Sequence, residues 1–163
     1  MKVYHGSISE IARPDLAYAK RNLDFGVGFY VTTIQSQAKN WALRKALRNQ
    51  MPNAFISMYD LKDDLDDYRK KVFKDEDKEW VEFVCACRRG SDIYKKYDMI
   101  SGGVANDKVY LAVDMYYRGI WDIDRTLAEL KYYEHNNQIC LLNQNLIDNC
   151  LTFIESYEIN SND

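Results

Sequence analysis

The run Asp24-Phe25-Gly26-Val27-Gly28-Phe29-Tyr30-Val31-Thr32-Thr33 puts two glycines ahead of a short β-prone stretch, and a helix start carrying Trp41 follows it. Glycine admits φ > 0 and close backbone approach, while Phe29-Tyr30-Val31 favours strand with side chains on alternate faces. The stretch therefore predicts a tight turn, a strand and a helix in quick succession. Its aromatic ring stands either at a pocket mouth or between two core elements. One fold class is disfavoured at once: a dinucleotide-binding glycine turn follows its first strand, whereas this pair precedes one.

Around that centre the pattern is mixed. Residues 2–5 read as a strand ending in Gly6-Ser7, and residues 8–22 as an irregular or short-helical connection containing Pro14. Over residues 36–50, Ala38, Trp41, Ala42, Leu43, Ala46 and Leu47 recur at helical spacing with Arg and Lys on the other side, and Pro52 stops the helix. Residues 54–59 predict a strand, and the charged stretch 60–77 a surface segment with one short helix. A helix over 79–89 is closed by Gly90, residues 97–107 together form a strand and the glycine-rich loop it runs into, and helices follow over 109–117 and 125–133. The chain closes with a strand over 138–142, a helical turn over 144–148 and a strand over 151–157. Strands scattered among helices without regular alternation predict an α+β fold, and the length of 163 residues suits one domain over 1–163.

Composition narrows the function classes. A net charge of -3 argues against holding nucleic acid by bulk electrostatics, although Lys39, Arg44, Lys45 and Arg48 form a local basic face, read here as a solvated helix face. Cys85, Cys87, Cys140 and Cys150 include no Cys-x-x-Cys pair, so they read as buried thiols and no metal site is expected. The start MKVYHGS lacks a signal-peptide pattern and no apolar run reaches membrane-spanning length. The expectation is a cytoplasmic protein with no membrane contact.

Three distant spots combine a strand with polar or aromatic groups: His5-Gly6-Ser7, Tyr30 with Trp41, and Asn136-Asn137-Gln138. In this order and spacing they resemble the ADP-ribosyltransferase superfamily, in its poly(ADP-ribose)-polymerase-like branch with a His, Tyr, Glu signature on three strands. The nearest likeness is to small bacterial ADP-ribosyltransferase-like domains that begin Tyr-His-Gly-Ser, continue Asp-Phe-Gly-x-Gly-Phe-Tyr-Val-Thr and later read Ala-Asn-Asp. The likeness runs from His5 to Phe153.

The resemblance implies split antiparallel β-sheets forming an NAD cleft flanked by helices. It implies His5, Tyr30 and Gln138 as the catalytic positions, with NAD as substrate and no metal. His5 would bond the adenosine-side ribose hydroxyls, and the Gly6 backbone, beside Ser7, would hold the nicotinamide carboxamide. Tyr30, carried by the Gly28 strand, would stack on nicotinamide, with Trp41 as the second aromatic. Ala38 stands where the family often has a serine, so that one carboxamide contact is either missing or supplied by Gln37. Gln138 replaces the usual Glu, so it can accept a hydrogen bond from the ribose but stabilises positive charge less. Asp107 and Glu134 are candidate substitute carboxylates. Arg88 and Arg89 would meet the pyrophosphate or simply favour a helix C-terminus.

The implied function is mono-ADP-ribosyl transfer by a bacterial toxin or effector. Its acceptor would be an intracellular protein or nucleic acid, and its partner a neutralising antitoxin or immunity protein. A catalytically weakened NAD-binding module and an NAD glycohydrolase are the alternatives.

Overall fold

A computed structural model describes residues 1–132 and 136–160, and it is α+β. The strands are β1 (Lys2–Ser7), β2 (Phe29–Val31), β3 (Ala54–Leu61), β4 (Lys70–Val72), β5 (Met99–Gly102), β6 (Gln138–Leu141) and β7 (Leu151–Ile159). The helices are α1 (Gln35–Arg48), α2 (Lys78–Arg88), α3 (Asp107–Tyr117), α4 (Ile123–Leu130) and α5 (Gln144–Cys150). The 60–77 segment departs from expectation: it contains strand β4, not a short helix, because Lys70 to Val72 pair with β5 at a sheet edge. Leu61, Leu65, Tyr68 and Val72 recur three or four residues apart, as on a helix face, and Lys70-Lys71-Val72 has no period-two alternation to mark it as a strand.

Two sheets result, in the orders β1-β3-β7 and β2-β6-β5-β4. All pairs are antiparallel except β4 with β5, which is parallel. The sheets meet at one bridge. Tyr4 N–H donates to Thr32 O at 2.8 Å and Thr32 N–H to Tyr4 O at 2.9 Å. Val3, Val31, Tyr59, Leu141 and Leu146 pack between the sheets, while Trp80, Val84, Ile100, Val113 and Cys140 fill the space beneath α2 and α3.

Helix α1 carries two stripes. Ala38, Ala42 and Ala46, four residues apart, are buried against Ala54, Ile56 and Ile159. Small side chains let the helix backbone come close to β1, and Gly6 completes the approach: a Cβ there would stand 2.1 Å from Ala38 O and 2.8 Å from Ala42 N. Trp41, Lys45 and Arg48, at helical spacing on the neighbouring face, are left to line the space beside β1.

The glycine pair ahead of β2 serves two different needs. Gly26 has φ +88 and the Tyr94 ring lies against it, whereas Gly28 is required by close packing on Cys140 Sγ and Leu141 O. The expected freedom at positive φ is thus used at one glycine only. Helix α2 is capped by Asp77, which accepts from Trp80 N–H at 3.0 Å, and Gly90 at φ +90 ends it as expected.

Gly6→Ala forces backbone against backbone, so α1 must move away from β1. Urea denaturation is expected to register a loss of about 1–3 kcal/mol. An unchanged midpoint would contradict the close approach.

Candidate functional site

Where β1 and β2 part beyond the bridge, a cavity of about 660 Å³ opens. Sites for drug-sized ligands span roughly 300–1,000 Å³. Its walls come from β1 (His5, Ser7), β2 (Phe29, Tyr30), the start of β6 (Gln138) and α1 (Trp41, Lys45), with the 11–24 connection running along one side. That connection is strapped in place. Ile11 N–H donates to Ser57 Oγ at 3.2 Å, Leu16 N–H to Gln144 Oε1 at 3.0 Å, and Gln144 Nε2 to Pro14 O at 3.0 Å.

His5 is buried and stacked on Phe29, with ring centroids 4.5 Å apart. Its Nδ1 lies 2.6 Å from Tyr30 O. A carbonyl can only accept, so Nδ1 carries the hydrogen and Nε2 is a bare acceptor. Burial, reinforced by the Lys45 charge, pushes the imidazole down to about 3 against the opposing pull of the Tyr30 carbonyl. His5 is therefore a neutral hydrogen-bond acceptor at physiological pH, suited to a ligand hydroxyl.

Tyr30 is fixed at both ends. Its backbone holds His5, and its hydroxyl accepts from Phe25 N–H at 3.0 Å and donates to Gly26 O at 2.8 Å. The hydroxyl is thus used by the turn, and burial raises its pKa well above the ordinary value. The ring and half-buried Trp41 remain as apolar surfaces on the cavity.

Gln138 is buried, and its amide is oriented by its partners. Nε2 donates to Asp24 Oδ2 at 2.8 Å and to Gly103 O at 3.0 Å. Both partners are acceptors, so the nitrogen must face them, and Oε1 has no hydrogen-bond partner among the described residues. Asp24, 4% exposed, also accepts from Arg88 Nε at 2.5 Å and Ala105 N–H at 2.8 Å. The strand entry is held by amides too: Asn137 Oδ1 accepts from Thr32 Oγ1 and Thr33 N, each at 3.0 Å, and Asn136 Oδ1 from Val104 N at 2.7 Å.

The cavity is electropositive although the chain is acidic. Arg13, Lys20, Lys45 and Arg48 line it, and none of the four has a carboxylate partner among the described residues. Lys45 Nζ donates to Gly6 O at 2.8 Å, and burial together with the Lys20 charge brings its pKa down to about 8. Lys45 and Arg48, read from the sequence as a solvated face, thus point at the cavity. Arg13 and Lys20 carried no periodic signal, being set in the irregular connection.

The structure brings His5, Ser7, Gly28, Tyr30, Trp41, Arg88 and Gln138 to one cavity. The other expected residues stand elsewhere. Gly6 faces α1, and its carbonyl is taken by Lys45. Ala38 is fully buried in the α1–β1 packing, where a serine hydroxyl would meet apolar neighbours. Gln37 is engaged with the Asn137 backbone, its Nε2 donating to Asn137 O at 2.6 Å. Arg88, although it lines the cavity, is held by Asp24 and Ala105 O and stacks on Tyr110 at 4.0 Å, so its guanidinium is already committed. Arg89 turns away to pair with Asp114 at 3.0 Å over the Tyr117 ring. Asp107 opens α3, but its side chain, like Glu134, lies outside the described residues. Asp24 was visible in the sequence motif, yet nothing in its spacing marks it as the carboxylate that meets Gln138.

All four cysteines are free and buried, and burial pushes Cys85 up to about 11 and Cys87 up to about 12. Among the described residues no group of three or more His, Cys, Asp or Glu could hold a metal ion, and no helix is long and apolar enough to cross a membrane.

A family model described as "Protein of unknown function (DUF3990)" matches residues 1–153, and the chain belongs to that family. No curated protein and no solved structure matches it.

The neutral His5 has a consequence for stability. Its folded pKa lies below the ordinary 6.5, so the unfolded chain takes up a proton that the folded chain refuses. This contribution to stability is complete above pH 6.5 and is lost as pH falls toward 3. His5→Gln should flatten the stability profile by up to about 1.4 kcal/mol per pH unit below the imidazole's ordinary pKa. An unchanged slope in chemical denaturation would mean that His5 titrates normally.

Proposed function

We propose that this protein is an NAD-dependent mono-ADP-ribosyltransferase, a toxin or effector acting on an intracellular macromolecule, and that the cavity between β1, β2 and α1 is its NAD site. The observation that carries the reading is the convergence of four chemistries on one wall set. A neutral histidine acceptor, two aromatic faces, the Gln138 amide and cations with no carboxylate partner among the described residues all line the same cavity. Those are the groups that ribose hydroxyls, a flat nicotinamide ring and a pyrophosphate require.

In this reading His5 Nε2 accepts from a ribose hydroxyl, and the Tyr30 and Trp41 rings hold nicotinamide. Lys45 takes over the phosphate role expected of Arg88 and Arg89, with Arg13, Lys20 and Arg48 beside it. Gln138 Oε1 accepts from the ribose next to the reacting carbon. The bond from C1′ to the nicotinamide nitrogen breaks, its electron pair leaving with neutral nicotinamide, and the acceptor's nucleophile forms the new bond at C1′ and gives up its proton. An antitoxin or immunity protein is the partner expected for such an activity. One observation favours a non-enzymatic NAD-binding module as the second reading: the buried carboxylate nearest Gln138 is already paired with Arg88.

Calorimetry with NAD and an assay of nicotinamide release, with and without cell lysate, test this. Trp41→Ala should weaken NAD binding about tenfold, in line with the roughly 1–3 kcal/mol measured for stacked bases, with little change in melting temperature. Binding should also weaken as pH rises through about 8, where Lys45 loses its proton, and Lys45→Arg should remove that dependence. Binding without release would leave the module reading, release into water alone would make the protein a glycohydrolase, and no binding would overturn the NAD site.

A further inference from the structure

We infer that Asp24 is a positioning residue that sets the Gln138 amide with its oxygen toward the cavity, and that Asp24 is the reason residue 138 is an amide and not a carboxylate. The functional half of this rests on the NAD reading; the structural half does not.

Gln138 Nε2 sits between two acceptors, Asp24 Oδ2 at 2.8 Å and Gly103 O at 3.0 Å. An amide nitrogen has two hydrogens, one for each. A glutamate at this position would place an oxygen against both a carboxylate and a carbonyl, with Gln138 only 3% exposed and little water to screen the repulsion. Asp24 is in turn fixed from three elements: Arg88 at the end of α2, Ala105 N–H in the loop before α3, and the Gln138 amide at the start of β6. Arg88 neutralises the Asp24 charge, so the unit presents a dipole and not a net negative charge to the cavity.

The consequence for chemistry is specific. The strand position that the resemblance gives to glutamate cannot be repaired here by writing glutamate back. The carboxylate has its place on the segment before β2, behind the amide, and acts through it.

Three readouts test this. In the unmodified protein, NMR hydrogen exchange of the two Gln138 side-chain amide protons should be slowed at least tenfold relative to an exposed glutamine. Exchange at the rate of a surface amide would overturn the orientation, and this measurement needs no variant to fold. In denaturation, Q138E should raise the unfolding constant about tenfold more in the Asp24 protein than in D24N, a coupling of the size found for contacting charges. Equal cost in both backgrounds would overturn the repulsion. With NAD, Q138E should not raise nicotinamide release, and D24N should lower its kcat roughly tenfold to a hundredfold, as misplacement of a catalytic group does, with a smaller change in KM. A gain in release on Q138E alone, or an unmoved kcat in D24N, would overturn the positioning role. A protein that releases no nicotinamide at all fails the NAD reading, and the exchange and coupling results then decide the Asp24 assignment alone.

Discussion

The two hydrogen bonds between Tyr4 and Thr32 are the constraint on which the site depends. They join two sheets at one residue pair, and beyond it β1 pairs with β3 while β2 pairs with β6. Two strands that touch once and then choose different partners must leave a gap. His5 is the next residue on one strand after the bridge, and Tyr30 lies two residues before it on the other. The hydrogen bond from His5 to Tyr30 O spans the opening just where it begins. Helix α1 then closes one side, because an alanine stripe and Gly6 allow backbone contact that larger residues would prevent.

Electrostatics divides the cavity into two ends. Near Gln138 a buried carboxylate is matched by a guanidinium, a peptide N–H and an amide, so the region is polar but balanced. Near α1 and the 11–24 connection, Arg13, Lys20, Lys45 and Arg48 have no carboxylate partner among the described residues, and burial has already brought Lys45 down to about 8. A buried lysine without a counter-ion destabilises the empty protein. An anion bound there would relieve that cost, which makes charge a reason for binding as well as a means of orientation.

Much of this was legible in the sequence, and the exceptions have physical causes. Helical periodicity located α1 and α2 within a residue or two at each end, and Gly90 marked the end of α2. Strand β4 was hidden because three residues at a sheet edge, Lys-Lys-Val, carry no burial pattern of their own. His5 and Tyr30 could be expected together from the order of motifs, since each sits on a strand beside the Tyr4–Thr32 bridge, and Trp41 follows on the face of α1 next to the alanine stripe. The cations could not be sorted in the same way. Lys45 and Arg48 share a helix with Lys39 and Arg44, and only the direction of the Ala38-Ala42-Ala46 stripe separates those that face the cavity from the rest. Arg89 and Arg88 are neighbours in sequence but about a hundred degrees apart around a helix, which sends one to Asp114 and the other to Asp24. Asp24 went unread because its role depends on a residue 114 positions away.

The most direct test of the account is a crystal structure of the protein with an NAD analogue whose glycosidic bond resists cleavage. The account predicts nicotinamide between Tyr30 and Trp41, a ribose hydroxyl on Gln138 Oε1, another on His5 Nε2, and the pyrophosphate against Lys45. A ligand bound with its phosphates at the Asp24 end, or one that leaves this cavity empty and binds elsewhere on the surface, would contradict it.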